Sequence, residues 1–315
     1  MPAVSLPLPV ARAMLHPIFR YSMHHRLPWQ LQRALLDAGS VLQVLPGGTR
    51  VHRTTLGGRP TERVTVTTNE TTGGAAPAAD ARPVAVLYLH GGGYTVGSPA
   101  THRSLVAHLA RDLRCPVYVP EYRLAPEHPY PAALDDAEAA FLELVASGLR
   151  PEDIAVSGDS AGGGLSLALA LRLRDEHGIA PAALGLIAPW ADPNQLPDRA
   201  RDLVINKAWS RACAAAYLGD GDGLDPGYAP LFGDLRGLPP TYIQVDAGEL
   251  LHEQCVRLVA VLERVGVPTR FSVTRGLWHV AQLQASLVGP AAAATRELAG
   301  FLGESLRAAQ TRSIG

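Results

Sequence analysis

From residue 81 onward, short apolar runs alternate with longer amphipathic stretches along the chain. The interiors of the apolar runs carry almost no polar residue, which is typical of strands buried on both faces of a sheet. Strands and helices in alternation indicate an α/β fold, in which a mostly parallel sheet is flanked by helices. The predicted strands are 84–89, 116–120, 153–157, 183–188, 241–246 and 270–274, and the predicted helices are 99–113, 131–146, 160–176, 249–265 and 290–307.

Two segments interrupt this alternation, at about 1–48 and about 191–235. The first contains a predicted helix over 28–44 that presents Leu31, Leu35 and Leu42, and the second contains a short predicted helix over 207–218. A β-hairpin is predicted over 50–66, with its turn at Gly57-Gly58. We expect residues 1–315 to form a single domain.

Composition narrows the classes of function. A chain of 315 residues with 47% hydrophobic residues can build one large core. Its net charge of −1 comes from interspersed acidic and basic residues, which argues against nucleic-acid binding. The three cysteines are scattered, which argues against a disulfide framework. Prolines interrupt the first ten residues and no apolar run approaches a membrane span, so we expect a cytoplasmic protein.

The sequence Gly158-Asp159-Ser160-Ala161-Gly162 follows the predicted strand 153–157 and opens a predicted helix. Serine between two glycines, at a strand-to-helix turn, is the pattern of a nucleophile elbow. The turn is so tight that side chains at positions 158 and 162 would collide, which is why glycine is needed there. Ser160 is therefore the candidate nucleophile.

A second glycine-rich stretch, His90-Gly91-Gly92-Gly93-Tyr94, follows the predicted strand 84–89. Glycine lets the bare backbone approach a substrate oxygen closely, as an oxyanion hole requires. We assign the backbone amides of Gly91, Gly92 and Ala161 as the predicted oxyanion donors. His90 lies at a strand end, where we expect it to hold the loop by hydrogen bonding rather than to act in catalysis.

With these residues the chain resembles the hormone-sensitive-lipase-like esterases, family IV of the bacterial lipolytic enzymes on the α/β-hydrolase fold. The resemblance covers about residues 50–305. Four motifs carry it in family order: His90 to Gly93, Tyr122 to Ala133, Gly158 to Gly163, and Gly276 to His279. It implies that the two interrupting segments form a small helical cap over the nucleophile. Tyr94, Trp209 and Tyr217 are the expected substrate contacts, and each segment is expected both to pack on the body and to shape the site.

A serine nucleophile needs a base, and the base needs an orienting acid. Three histidines follow Ser160, and the resemblance implies that His279 is the base, since it follows the last predicted strand. The resemblance aligns the acid position of the family with Glu249 of this chain. Asp246, which directly follows a predicted strand, is the alternative acid.

These residues predict a carboxylic ester hydrolase that acts on a small-molecule ester through an acyl-enzyme. A lactone hydrolase or an acetyl-amide hydrolase would use the same groups, and some relatives of this fold are receptors without catalysis. No metal or organic cofactor is expected. The sequence leaves the oligomeric state open, a homodimer included.

Overall fold

The computed structural model describes residues 5–67, 82–195 and 201–312. Its strands are β1 (Thr49–Leu56), β2 (Arg59–Val66), β3 (Ala85–Leu89), β4 (Val117–Pro120), β5 (Ile154–Asp159), β6 (Leu184–Ile187), β7 (Thr241–Asp246) and β8 (Thr269–Thr274). They form one sheet in the order β1-β2-β4-β3-β5-β6-β7-β8. Pairing is antiparallel between β1 and β2 and between β2 and β4, and parallel between all other neighbours. The predicted hairpin and mostly parallel sheet are therefore confirmed.

The helices are α1 (Leu8–Ser22), α2 (Trp29–Ser40), α3 (Pro99–Leu113), α4 (Ala132–Ala146), α5 (Ala161–His177), α6 (Lys207–Leu218), α7 (His252–Arg264) and α8 (Gly289–Arg312). Every residue of β3, β5, β6 and β7 is buried, as helices on both faces of the sheet require. The predicted α/β-hydrolase architecture is therefore confirmed.

One helix start differs in a way that matters for the site. The sequence predicts a helix from residue 249, whereas α7 begins at His252. Asp246 accepts hydrogen bonds from the backbone amides of Gly248 and Glu249, which folds the chain into a turn before the helix can start. Glu249 consequently lies in the connection between β7 and α7.

The N-terminal segment departs most from the predicted pattern. The structure has a helix, α1, that the sequence does not predict. The helix can form because Pro9 falls in its first turn, where proline is tolerated. The predicted helix over 28–44 is shorter and ends at Ser40. Leu31 and Leu35 of α2, and Leu42 beyond its end, are exposed to 45%, 47% and 82%, so these three leucines do not pack on the body. The helix packs instead through Gln32 and Leu36. Among the described helices, none has the length and apolar character needed to cross a membrane.

Candidate active site

Ser160 is the single residue between β5 and α5. Its φ of 53° lies in the left-handed region, which is strained for a residue with a side chain. A Cβ added to Gly158 would overlap the carbonyl of Gly162, and one added to Gly162 would overlap the carbonyl of Leu89 at the end of β3. The predicted need for glycine on both sides of the serine is therefore confirmed, and the neighbouring strand β3 adds to it.

Two hydrogen bonds connect three buried side chains from three different loops. The hydroxyl oxygen of Ser160 lies 2.9 Å from Nε2 of His279, to which the hydroxyl donates a hydrogen bond when the ring proton is on Nδ1. Nδ1 of His279 lies 3.0 Å from Oε1 of Glu249, to which it donates when the proton is on Nδ1. His279 comes from the loop after β8, and Glu249 from the turn after β7. The structure thus brings together the three residues that the sequence selects as nucleophile, base and acid.

Asp246, the alternative acid, points elsewhere. Its Oδ2 accepts hydrogen bonds from the backbone amide of Leu277, at 2.8 Å, and from the hydroxyl of Thr274, at 3.0 Å. Its own amide donates to Oε2 of Glu249. Asp246 therefore fixes the loop that carries His279, and Glu249 is the carboxylate that contacts the imidazole.

The surroundings of His279 favour its protonated form. Burial by itself lowers the pKa of the ring, but the carboxylate of Glu249 raises it, with smaller contributions from Asp202 and Asp159. The net result is a pKa above the ordinary value for histidine. An imidazolium formed during a reaction would thus be stabilised where it forms.

One prediction for the glycine-rich stretch His90 to Tyr94, here called the glycine loop, is wrong. The sequence predicts Gly91 as an oxyanion donor, but its N–H donates to Oδ1 of Asp159, 3.0 Å away, and is not available to a substrate. The amides of Gly92 and Gly93 have no hydrogen-bond partner within the described ranges. The amide of Ala161, first in α5, is equally free of a partner there, as expected in the first turn of a helix.

Asp159 and His102 were missed by the sequence reasoning, and together they hold this loop. Oδ1 of the buried Asp159 accepts from the hydroxyl of Tyr88 at 2.8 Å and lies 3.3 Å from Nε2 of His102. Burial disfavours the charged form of each group. The attraction between the two charges offsets this cost, so the pKa of Asp159 is lowered and the pKa of His102 is raised. The position of Asp159 beside Ser160 within the elbow was the signal that could have identified it.

His90 has the supporting role that the sequence predicts. Its ring is buried, stacks on Tyr122 with 4.2 Å between ring centroids, and its Nδ1 lies 2.9 Å from the carbonyl of Gly91. Burial lowers the pKa of His90 to about 3, so the ring is neutral. Both prolyl bonds in the neighbouring Tyr122 to Ala133 motif, Ala125-Pro126 and Tyr130-Pro131, are cis.

Ser160 and His279 lie in the wall of a cavity of about 80 Å³. The other walls come from the glycine loop and from the two interrupting segments, with Phe19, Leu36, Ile205 and Trp209 among the lining residues. The two segments are joined here, since Nε1 of Trp209 donates to the buried Gln32 of α2.

Of the three predicted substrate contacts, only Trp209 lines this cavity in the part of the chain that the structure covers. Tyr94 and Tyr217 are fully buried and stack face to face, with 3.6 Å between ring centroids. The prediction is wrong for these two residues. Their rings pack α6 onto the glycine loop and bury two large aromatic faces against each other.

The fold and the serine turn define an α/β hydrolase, and residues 86–283 match the family model for the alpha/beta hydrolase fold. The chain is 35% identical over 288 residues to LipR of Mycobacterium tuberculosis, covering 90% of each chain. It is 39% identical over 200 residues to an acetyl-hydrolase of Streptomyces hygroscopicus, covering 62% of this chain and 67% of that protein.

A solved esterase from the bacterial hormone-sensitive lipase family superimposes with a TM-score of 0.84 and 32% identity, covering 94% of this chain and 98% of the other. The chain therefore belongs to the hormone-sensitive-lipase-like esterases of the α/β-hydrolase superfamily.

Proposed function

We propose that the protein is a serine carboxylesterase that hydrolyses short-chain esters through an acyl-enzyme. The hydroxyl oxygen of Ser160 attacks the ester carbonyl carbon while Nε2 of His279 takes the hydroxyl proton and then gives it to the departing alcohol. Water, deprotonated by His279, releases the acid and restores Ser160. Glu249 keeps the Nδ1 proton in position and stabilises the imidazolium. The chain of two hydrogen bonds from Ser160 through His279 to Glu249 carries this proposal.

We assign the oxyanion hole to the amides of Gly92, Gly93 and Ala161. These three amides, which have no partner in the described chain, flank the serine from the glycine loop and from the start of α5. Each donor of this kind contributes roughly 2.7–4 kcal/mol to lowering the barrier. Asp159 and His102 act as positioning residues, since they hold Gly91 and thereby the two glycines that follow it.

The small cavity supports a short acyl group, and one relative is named an acetyl-hydrolase. With p-nitrophenyl esters of graded length, kcat/KM is expected to be highest for acyl groups of about two to eight carbons, because a longer chain does not fit beside Ser160. A maximum on palmitoyl esters would contradict this assignment of the cavity.

The same groups could cleave an acetyl amide, which the name of the Streptomyces relative leaves open. Lactones and N-acetylated amines therefore belong in the same panel. If kcat/KM for an acetamide exceeds that for the matching acetate ester, the substrate is an amide.

The cytoplasmic location and the single-domain organisation stay predictions.

The pH dependence follows from His279, which must be neutral to take the proton of Ser160. Because the pKa of His279 is raised, kcat/KM is expected to fall as the pH drops, with a midpoint above the ordinary histidine value of about 6.5. In Glu249→Gln the raising carboxylate is gone and burial remains, so the midpoint should move to lower pH. Profiles of kcat/KM for both proteins measure this, and an unchanged midpoint in the variant would argue against contact between the two groups.

A further inference from the structure

An apolar stripe on α1 faces solvent instead of the protein. Its members are spaced three or four residues apart, which puts them on one side of the helix. They are Val10, Met14, Ile18 and Tyr21, exposed to 46%, 57%, 55% and 69%. The other side of α1 packs inward through residues such as Ala11 and Phe19. Leu31 and Leu35 of α2 add to the exposed apolar surface. We call these six exposed residues the apolar face.

The same part of the chain is strongly basic. Residues 5–36 contain four arginines and three histidines and no acidic residue, whereas the whole chain has 28 basic and 29 acidic residues. Two of these arginines hold the segment in place: Arg12 donates to the carbonyls of Gly276 and Leu277, and Arg33 pairs with Glu127. The other two, Arg20 and Arg26, are exposed and have no ion-pair partner among the residues described.

The apolar face borders a groove that shares a wall with the active-site cavity. The groove has a volume of about 670 Å³ and is lined by Arg20, Tyr21, Leu31 and Leu35 together with Arg201 and Asp202 from the facing segment. The carboxylate of Asp202 is engaged by the backbone amides of Val204, Ile205 and Leu250. Phe19, Val204 and Ile205 line both this groove and the cavity of Ser160. A molecule held at the apolar face therefore lies next to the wall of the catalytic cavity.

We propose that the apolar face and its basic surroundings dock on an anionic phospholipid surface. A helix with an exposed apolar side and free arginines beside it can rest in the plane of a lipid interface, where the apolar side chains enter the headgroup boundary and the arginines meet lipid phosphates. A second copy of the chain fits this face less well. In a symmetric pair, the same patch meets itself, so the arginines of both copies lie in one interface with no acidic residue from residues 5–36 to offset their charge.

Docking can be measured by co-sedimentation of the full chain with vesicles of phosphatidylcholine mixed with phosphatidylglycerol, and with vesicles of phosphatidylcholine alone. Binding to the anionic vesicles is expected, and it should weaken as salt is added, because salt screens the attraction between arginine and phosphate. Met14→Glu/Ile18→Glu should lower the partition coefficient roughly tenfold or more, because two apolar side chains that would enter the lipid are lost. Arg26→Glu should lower it at least about fivefold.

Matched controls lie on α7, which packs on β7 and β8. Val256→Glu and Arg264→Glu change an exposed valine and an exposed arginine there, and should bind as the unchanged protein does. Met14→Glu/Ile18→Glu should keep its rate on soluble p-nitrophenyl acetate, which shows that it is folded. Ser160→Ala should bind vesicles normally, so this result is independent of the proposed catalysis.

Three outcomes would overturn the proposal. The first is equal binding to both kinds of vesicle, or none to either. The second is equal loss in the α7 controls and in the α1 variant. The third is a dimer in light scattering that Met14→Glu/Ile18→Glu converts to a monomer, since the apolar face would then be a contact between two copies of the chain.

Discussion

Replacing Ser160 by alanine is expected to lower kcat/KM for p-nitrophenyl acetate at least about 10⁴-fold, because serine and histidine act as a unit in this chemistry. His279 would keep its place through Glu249, but no hydroxyl would remain to form the acyl-enzyme. The fold should be retained, since alanine removes only the hydroxyl and keeps the backbone of the turn.

Ser166→Ala is the matched control for this experiment. Ser166 lies in α5, six residues after Ser160, and its hydroxyl donates to the carbonyl of Gly162. Its loss should leave the activity within about tenfold, as expected for one neutral hydrogen bond. If purified Ser160→Ala keeps activity within tenfold of the unchanged enzyme, Ser160 is not the nucleophile.

Replacing Glu249 by glutamine is expected to lower kcat about 10²–10⁴-fold, because an amide can stabilise the wrong tautomer of the base and cannot offset the charge of the imidazolium. The carboxylate stands 3.0 Å from Nδ1 of His279, so the amide nitrogen of glutamine could face that ring nitrogen instead of its oxygen. The measurement is steady-state kinetics on a short-chain ester, with circular dichroism to check the fold.

Asp246→Asn is the comparison variant for this experiment, because Asp246 is the alternative acid. Asp246 holds the amide of Leu277 and the hydroxyl of Thr274, two contacts that position the loop without touching the imidazole. Its replacement should lower thermal stability and reduce kcat less than Glu249→Gln does. If Asp246→Asn is crippled and Glu249→Gln is nearly normal, the acid is Asp246.

The parts of the site that the sequence predicts well are those with a local steric reason. Gly158, Ser160 and Gly162 lie within five residues, and the tight turn alone requires glycine on both sides. The strands were found within two residues of their bounds because strands buried on both faces leave continuous apolar runs. His279 could be chosen because it is one of three histidines after the serine and the resemblance places the base after the last strand.

What the sequence could not give depends on contacts between distant residues. Gly91 looks like any other glycine of its loop, and only the buried carboxylate of Asp159 beneath it removes its amide from the oxyanion hole. Tyr94 and Tyr217 are 123 positions apart, so their stacking cannot be read from either neighbourhood. The exposure of Leu31 and Leu35 could not be predicted for the same reason. An apolar stripe in the sequence does not show whether another part of the fold packs on it.

The central claim, an acyl-enzyme on Ser160, can be tested by labelling with diethyl p-nitrophenyl phosphate, which transfers its diethylphosphoryl group to an activated serine and releases p-nitrophenolate. Trypsin cleaves after Arg123 and Arg172 but not at the Arg150–Pro151 bond, so it releases residues 124–172, a peptide that contains Ser147, Ser157, Ser160 and Ser166. Fragmentation by mass spectrometry locates the adduct among these four. We expect one adduct per chain, on Ser160, formed in proportion to the loss of esterase activity and absent from Ser160→Ala. Loss of activity with Ser160 unmodified, or with the adduct on another residue, would contradict the account.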